Sequence, residues 1–174
     1  MHSEAGNRLL KVLRPAYGPC PHFFGLCKKM RWEPANGHVP RGFSGALGNI
    51  RDVKLVLVFA EPGDPLPGES HKGIESAMEC SLTYLRTGAT PFHKNLLRIL
   101  DFCFPGQSVD EQLRRTWCTN SVLCSAEQES GPVPAAVEDV CMRTYLRAQL
   151  DLLEHALIAA VGTKAQRRLT REGF

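Results

Sequence analysis

The sequence predicts an α/β fold with three layers, α/β/α, around a central and mostly parallel sheet. Three observations carry this prediction: a continuous aliphatic run at 53–60, apolar residues at helical spacing after it, and further strand-then-helix units downstream. A run that is apolar along its whole length is typical of a strand covered on both faces. A chain of 174 residues is long enough for one domain, which we take to span 1–174.

The predicted elements follow in the order βααβαβα. A cluster of proline and glycine at 62–68 ends the first strand, and Ser108 with Glu111 has the spacing of a helix capping box. We expect all three strands to be buried. They lie at 53–60, 116–123 and 156–161, and the helices at 71–86, 91–102, from 108, at 135–154 and after Gly162.

Composition excludes several classes of protein. With 43% hydrophobic and 22% charged residues, the chain is neither disordered nor collagen-like, and its net charge of +3 leaves the partner open. The sequence contains no apolar run of about 18 to 20 residues and no secretory signal in its first 16 residues, so we expect a cytoplasmic protein without membrane contact. Seven cysteines, an odd number, then favour metal ligation or buried thiols over disulfides.

Four short patches carry the functional signal. They are 40–43 followed by 56–63, then 90–97, then 119–124, and finally Cys141 followed by 156–162. In this order and spacing they resemble the uracil-DNA glycosylase superfamily, most closely its iron–sulfur bacterial and archaeal class. The resemblance covers about 40–170 and depends on the series, because no single patch is specific.

The resemblance implies a DNA repair hydrolase that cleaves the N-glycosidic bond of a uracil flipped out of DNA. Such an enzyme needs a flat side chain against the base and a polar group that reads its edge. Phe92 is the expected stacking residue. Asn120 is the expected reader, since one amide can pair with both N3–H and O4 of uracil. The alternative for Asn120 is a strand-end residue that bonds the backbone.

Cleavage leaves a cationic sugar and an anionic base, so a carboxylate near the sugar assists the reaction. The resemblance assigns this catalytic role to Glu61, for which the alternative is a solvated loop acid. Pro62 and Gly63 are expected to contact the substrate, because glycine permits a close approach of the backbone.

The sequence also departs from the family pattern. Phe59 stands where relatives have glycine and Ala60 where they have a polar or acidic residue. The family's last strand and His-Pro-Ser-type loop are not among these 174 residues, and we expect His93 to be a solvated residue at a helix start rather than a substitute. A chain that ends at Phe174 is therefore expected to be weak or inactive. The alternative function is a binding module for nucleic acid or protein on the same fold.

The cysteines give a cofactor prediction. Cys124 and Cys141 have 16 residues between them, similar to the second ligand pair of the iron–sulfur glycosylases, and Cys20 with Cys27 offers a first pair. The resemblance therefore implies a 4Fe-4S cluster with a structural role. Zinc on the same residues, with His22 as an optional ligand, and buried thiols without metal are the alternatives. The other three cysteines, Cys80, Cys103 and Cys118, are expected in the core.

Basic residues are scattered, with local groups at 28–31, 94–98 and 164–171. Among them we predict that Arg41 and Lys94 contact DNA phosphates, although charged helix faces are more often simply solvated. A nucleotide-binding α/β protein is not favoured, because no glycine-rich phosphate loop follows any strand. We expect a monomer that binds uracil-containing DNA.

Overall fold

A four-stranded, mostly parallel sheet organises residues 3–174, the part of the chain that the computed structural model describes. The strand order is β1-β3-β2-β4; β2 pairs in parallel with β3 and β4, and β1 pairs antiparallel with β3. The strands are β1 (Ser44–Gly45), β2 (Leu55–Phe59), β3 (Thr116–Asn120) and β4 (Leu157–Ala160). The prediction of an α/β protein with a mostly parallel sheet is confirmed.

The helices agree with the predicted order and add one at the start. Their bounds are α1 (Glu4–Leu13), α2 (Ile74–Thr87), α3 (Pro91–Cys103), α4 (Val109–Arg114), α5 (Ala135–Cys141), α6 (Arg147–Leu152) and α7 (Thr163–Arg171), with a π-helical turn (Met142–Leu146) between α5 and α6. The predicted capping box is present, because the Ser108 hydroxyl accepts from Glu111 N–H and the Glu111 carboxylate accepts from Ser108 N–H. In residues 3–174 every helix is too short or too polar to cross a membrane.

Burial follows the predicted pattern for two of the three long strands. Every residue of β2 and β3 is buried, and Trp117 in β3 donates its indole N–H to Gln149 Oε1 at 2.9 Å. The expectation for the third strand was wrong, since β4 lies at the sheet edge and Leu157 is 69% exposed. Cys103 is likewise exposed and Cys80 only partly buried, whereas Cys118 lies in the core as expected.

The register of β2 against β3 determines where the two strands end. Phe59 pairs with Asn120, and the ladder continues past the strands as Ser121 N–H donates to Phe59 O at 2.8 Å. Because the two strands are parallel, their carboxyl ends meet at one edge of the sheet, where open α/β sheets bind ligands.

A buried ionic network fastens α7 to the rest of the fold. Arg168 is fully buried, and its Nε lies 2.8 Å from Glu138 Oε1 on α5. Its other nitrogens lie 2.7 Å from Glu61 Oε2 and 3.0 Å from Ser121 Oγ, in the segments that follow β2 and β3. One side chain thus joins two helices to the two central strands.

We predict that Glu138→Gln lowers the free energy of unfolding by about 3 kcal/mol, because Arg168 is left buried without its full counter-charge. Burial opposes ionisation of Glu138, but the hydrogen bonds of Arg168 and Arg171 and the charges of Arg168 and Arg167 outweigh it and lower its pKa. Because the pKa is lowered in the folded state, the ionised carboxylate contributes its full stabilisation above the unfolded pKa of about 4.3. This stabilisation is lost as the pH falls further, through the pKa of the folded state.

Urea unfolding at several pH values tests this prediction. The difference between wild type and Glu138→Gln should be constant from pH 6 to 8 and shrink below about pH 4. Glu154→Gln, a change at an exposed glutamate, is the matched control and should have little effect at any of these pH values. An equal effect of the two substitutions would contradict the role of Glu138.

Candidate functional site

A pocket of about 220 Å³ lies at the carboxyl ends of β2 and β3. Its volume is below the roughly 300 to 1,000 Å³ of pockets for drug-sized ligands, and therefore suits a small planar molecule. Six of the residues predicted from the sequence line it: Arg41, Glu61, Pro62, Gly63, Phe92 and Asn120. The structure therefore brings together residues from four separate parts of the sequence: 41, 61–63, 92 and 120.

Asn120 is the last residue of β3 and is 4% exposed. Its Nδ2 donates to the carbonyl oxygen of Arg41 at 2.8 Å, which fixes the orientation of the amide. The second N–H and Oδ1 have no hydrogen-bond partner among the described residues, so the amide retains one donor and one acceptor. This pair of groups can read the edge of a bound ring.

Phe92 is the second residue of α3, and Thr90 caps that helix by accepting from His93 N–H. Its ring is 50% exposed and contacts Phe59 edge-on, with centroids 5.1 Å apart. Phe59 is 7% exposed and also lines the pocket. Phe59, which stands where uracil-DNA glycosylases have glycine, therefore packs against the predicted stacking residue and forms part of the pocket wall.

Glu61 lies at the pocket, but its carboxylate is engaged elsewhere. One carboxylate oxygen is 2.5 Å from Lys164 Nζ and the other is 2.7 Å from Arg168, and only 5% of the side chain is exposed. Two cations on α7 neutralise a carboxylate that was predicted to face a sugar cation. The catalytic role of Glu61 stays a prediction, and this geometry favours a structural role.

Arg41 is 7% exposed, and its guanidinium makes only internal contacts in the described chain. It donates to the carbonyl oxygens of Gly37 and Gly63 and to Ser125 Oγ, and its Nε is 3.5 Å from a Glu69 oxygen. These contacts hold the loop after β2 in place. Binding of DNA phosphate by Arg41 stays a prediction, while its position favours a role as a clamp for that loop.

Lys94 lies on α3 two residues after Phe92, and it is exposed. It does not line the pocket, but it lies in the same turn of α3 as Phe92, the predicted stacking residue. Contact with a phosphate next to a bound base stays a prediction for this residue.

The pocket also contains a buried polar network that sequence reasoning missed. The Glu69 carboxylate accepts from Leu66 N–H at 3.0 Å and lies 2.8 Å from His71 Nε2. Burial opposes its ionisation, but the His71 hydrogen bond, the Leu66 hydrogen bond and the Arg41 charge together lower its pKa. In the sequence, the one feature that could have indicated Glu69 was its place at the end of the proline-rich loop after β2, where open α/β sheets bind ligands.

Glu69, His71 and Cys80 have potential ligand atoms within 4.8 Å of one another. Three such groups resemble a metal site, but the Arg41 guanidinium beside Glu69 already supplies the positive charge there. We therefore interpret this cluster as an ion-pair network beside the pocket, in which His71 Nδ1 has no hydrogen-bond partner among the described residues.

His93 lines the pocket and is partly buried, so the expectation of a solvated residue was wrong. Burial lowers the pKa of its imidazole, which favours the neutral ring. Its Nδ1 is 2.8 Å from Thr90 Oγ1. A Thr90 hydroxyl that donates to Nδ1 leaves the ring proton on Nε2, so His93 can offer a neutral N–H donor.

The four cysteines of the predicted cluster converge on a second, smaller cavity. Cys20, Cys27, Cys124 and Cys141 all line this cavity of about 20 Å³, whose other walls are mostly apolar, with His22 and Tyr145 also present. The first pair, Cys20 and Cys27, and the second pair, Cys124 and Cys141, are more than 90 residues apart in the sequence and thus meet at one cavity. The cavity has room for about one water molecule, so any larger group requires the turn-rich segment 20–27 to lie further out.

The spacing of the sulfur atoms distinguishes the possible metals. A tetrahedral zinc ion with Zn–S bonds of about 2.3 Å holds its sulfurs about 3.8 Å apart. Within residues 3–174 no three of these cysteines have sulfurs within 4.8 Å of one another. The four sulfurs are therefore not arranged around a single metal ion in this structure, and the cavity of about 20 Å³ is too small for a cluster unless the segment 20–27 lies further out.

The protonation of these thiols is uneven. A hydrogen bond from Cys27 lowers the pKa of Cys20 to about 6, whereas burial raises the pKa of Cys141 to about 12. Burial also raises the pKa of Cys124. A metal ion bound at this cavity would have to displace protons from the buried thiols, and Cys20 is the one of these three thiols whose pKa is lowered.

No protein-family model matches the sequence, and no curated protein matches it either.

We predict that Gly42→Ala destabilises the fold more than Gly106→Ala. Both glycines have positive φ, +82° and +75°, so each substitution carries a backbone cost of about 1 kcal/mol. A Cβ on Gly42 would lie 2.5 Å from Asn120 Nδ2, whereas a Cβ on Gly106 would meet no atom within 4 Å. The clash should add about 1 to 3 kcal/mol.

Urea unfolding of the two variants measures this difference, and the side-chain amide resonances of Asn120 report the clash directly. These resonances should shift in Gly42→Ala and stay in place in Gly106→Ala. Equal unfolding free energies would show that Gly42 does not constrain the reader amide.

Proposed function

We propose that this chain is a DNA glycosylase of the uracil-DNA glycosylase type, with the three-layer fold of that superfamily. The observation that carries the proposal is the convergence of Phe92, Asn120 and the Gly63 loop on one pocket of about 220 Å³. The resemblance predicted these residues from separate patches, and their meeting at the carboxyl ends of two parallel strands supports it.

In this proposal, a flipped uracil stacks on Phe92 and pairs with Asn120. The Arg41 carbonyl uses one Nδ2 proton, and the remaining donor and acceptor match O4 and N3–H of uracil. Cytosine presents the opposite pattern of donor and acceptor and is disfavoured. Preorientation of the amide by Arg41 avoids an entropic cost when the base binds.

Bond cleavage leaves negative charge on the base, so a donor in a partly dry pocket stabilises the transition state. His93 lies at the pocket wall, and its ring offers a neutral N–H when the Thr90 hydroxyl donates to Nδ1. Glu69 also lines the pocket, but its carboxylate is paired with Arg41, as that of Glu61 is with Lys164. His93 is therefore the residue that stabilises the charge developing on the base in this proposal.

We further propose that Cys20, Cys27, Cys124 and Cys141 hold a 4Fe-4S cluster. The meeting of four soft ligands at one apolar cavity supports this assignment, which requires the segment 20–27 to lie further out than it does here. Such a cluster would crosslink the N-terminal turns to α5. No reaction step depends on it, and zinc or unligated thiols are the outcomes that the test below separates.

One observation favours a second candidate function, a binding module that has lost catalysis. The carboxylate at the family's catalytic position is neutralised by Lys164 and Arg168. A chain that relies on His93 instead is active, whereas a chain that depends on a free carboxylate at Glu61 binds DNA without cleaving it. The rate of uracil release separates the two.

We predict that the chain releases uracil from a single-stranded oligonucleotide and that Asn120→Ala lowers kcat/KM by about 100-fold or more, because the reader amide is lost. Asn95→Ala is the matched control, since Asn95 is an exposed asparagine on α3 that bonds only Arg98, and its rate should be unchanged. No release by the wild type would support the binding module. Release that Asn120→Ala retains would remove Asn120 as the reader.

We predict that protein purified without oxygen contains about four iron atoms per chain and absorbs visible light as iron–sulfur proteins do. Cys141→Ser should lose iron, whereas Cys103→Ser, at an exposed cysteine away from the cavity, should retain it. Metal analysis that finds one zinc per chain, or no metal, would contradict the cluster without affecting the glycosylase proposal.

A further inference from the structure

The segment between and just after the first two cysteines, residues 20–31, presents an unusual surface, which we call the Phe24 loop. Its inner side is anchored, since Cys27 and Met30 are 6% and 4% exposed and Phe23 packs against Trp32 with centroids 6.3 Å apart. Its outer side carries Phe24, which is 81% exposed. The loop thus exposes a large aromatic ring while its inner side is packed against the protein.

The same loop carries positive charge. Lys28 and Lys29 are exposed, and neither forms an ion pair with a described residue. No acidic residue occurs in the loop. The third cation, Arg31, faces Asp64 at 3.3 Å, which leaves the two lysines as the available charges.

The loop is joined directly to the rim of the pocket. The Arg31 side chain bonds Asp64, the residue after Gly63, and Arg31 N–H donates to Ser125 O at 3.0 Å. Ser125 in turn donates through its hydroxyl to Gly63 O at 3.1 Å. A polymer that enters the pocket with one unit therefore has the Phe24 loop as an adjoining surface.

We propose that the Phe24 loop binds single-stranded nucleic acid, with a base stacked on Phe24 and phosphates bound by Lys28 and Lys29. An exposed aromatic ring beside unpaired cations is the arrangement that binds single strands without sequence preference. A lipid surface is disfavoured, because the loop exposes only Phe24 and Leu26 as large apolar side chains and is not an amphipathic helix. The choice of nucleic acid as the ligand rests on the proposed function, whereas the exposure of Phe24, Lys28 and Lys29 is independent of it.

Fluorescence anisotropy of the full chain with a labelled, uracil-free single-stranded oligonucleotide tests the proposal. Phe24→Ala should weaken binding by about tenfold, the loss of one stacked base, and Phe24→Trp should restore it. Phe102→Ala is the matched control, because Phe102 is 88% exposed but lies at the end of α3, and its affinity should equal that of the wild type.

The salt dependence tests the lysines. The combined substitution Lys28→Gln with Lys29→Gln should reduce the slope of log K against log salt by about 1.4, the value for two contacts on a single strand. Lys11→Gln, at an exposed lysine on α1, should leave the slope unchanged.

Three outcomes would overturn the inference: no binding by the wild type, equal affinities of Phe24→Ala and Phe102→Ala, or an unchanged slope in the double variant. Phe24-dependent binding to anionic phospholipid vesicles, with unaltered oligonucleotide affinity, would assign the loop to a membrane instead. The anisotropy probe contains no uracil, so its binding does not depend on glycosylase activity. If the glycosylase proposal fails, the chain still binds this probe but releases no uracil from a uracil-containing strand.

Discussion

The pocket depends on one buried cation, Arg41. Its carbonyl oxygen orients Asn120, and its guanidinium holds the Gly63 carbonyl, Ser125 and the Glu69 carboxylate. A buried guanidinium carries a large desolvation cost, which here is offset by four acceptors arranged around its plane. Because Lys has a single point charge, it cannot reproduce this fork, so the shape of the pocket rests on arginine in particular.

A second ionic system explains why the carboxylate at the expected catalytic position is not free. Arg168 is fully buried and needs more than one acceptor, and Glu61 and Glu138 both provide negative charge. If Glu61 turned towards the pocket, Arg168 and Lys164 would lose a partner at a cost of several kcal/mol. The attachment of α7 requires Glu61 to pair with Lys164 and Arg168, whereas the predicted catalytic role requires a free carboxylate at the pocket. In this structure Glu61 is paired with α7.

The sequence predicts those features that local pattern determines. The run at 55–59 is continuous and buried, so β2 and the loop after it were predictable, and parallel pairing then brings Asn120 beside them. The exposure of Leu157 was not predictable, because a short apolar run has the same composition in a central strand and at an edge. The ion pairs of Glu61 were also not predictable, because Lys164 and Arg168 lie more than 100 residues away in the sequence and no spacing rule links them to Glu61.

The two cavities are mechanically connected through the segment that follows β3. Asn120 lines the first cavity and Cys124 the second, while Leu123 between them accepts from Arg41 N–H at 3.3 Å. Leu123 N–H in turn donates to Cys141 Sγ at 3.4 Å. A group bound by Cys124 and Cys141 would therefore restrain the same short segment on which Arg41 orients the Asn120 amide. Under the proposed function, such a group would affect base recognition in the first cavity without contacting the base, because the coupling passes through the five consecutive residues 120–124.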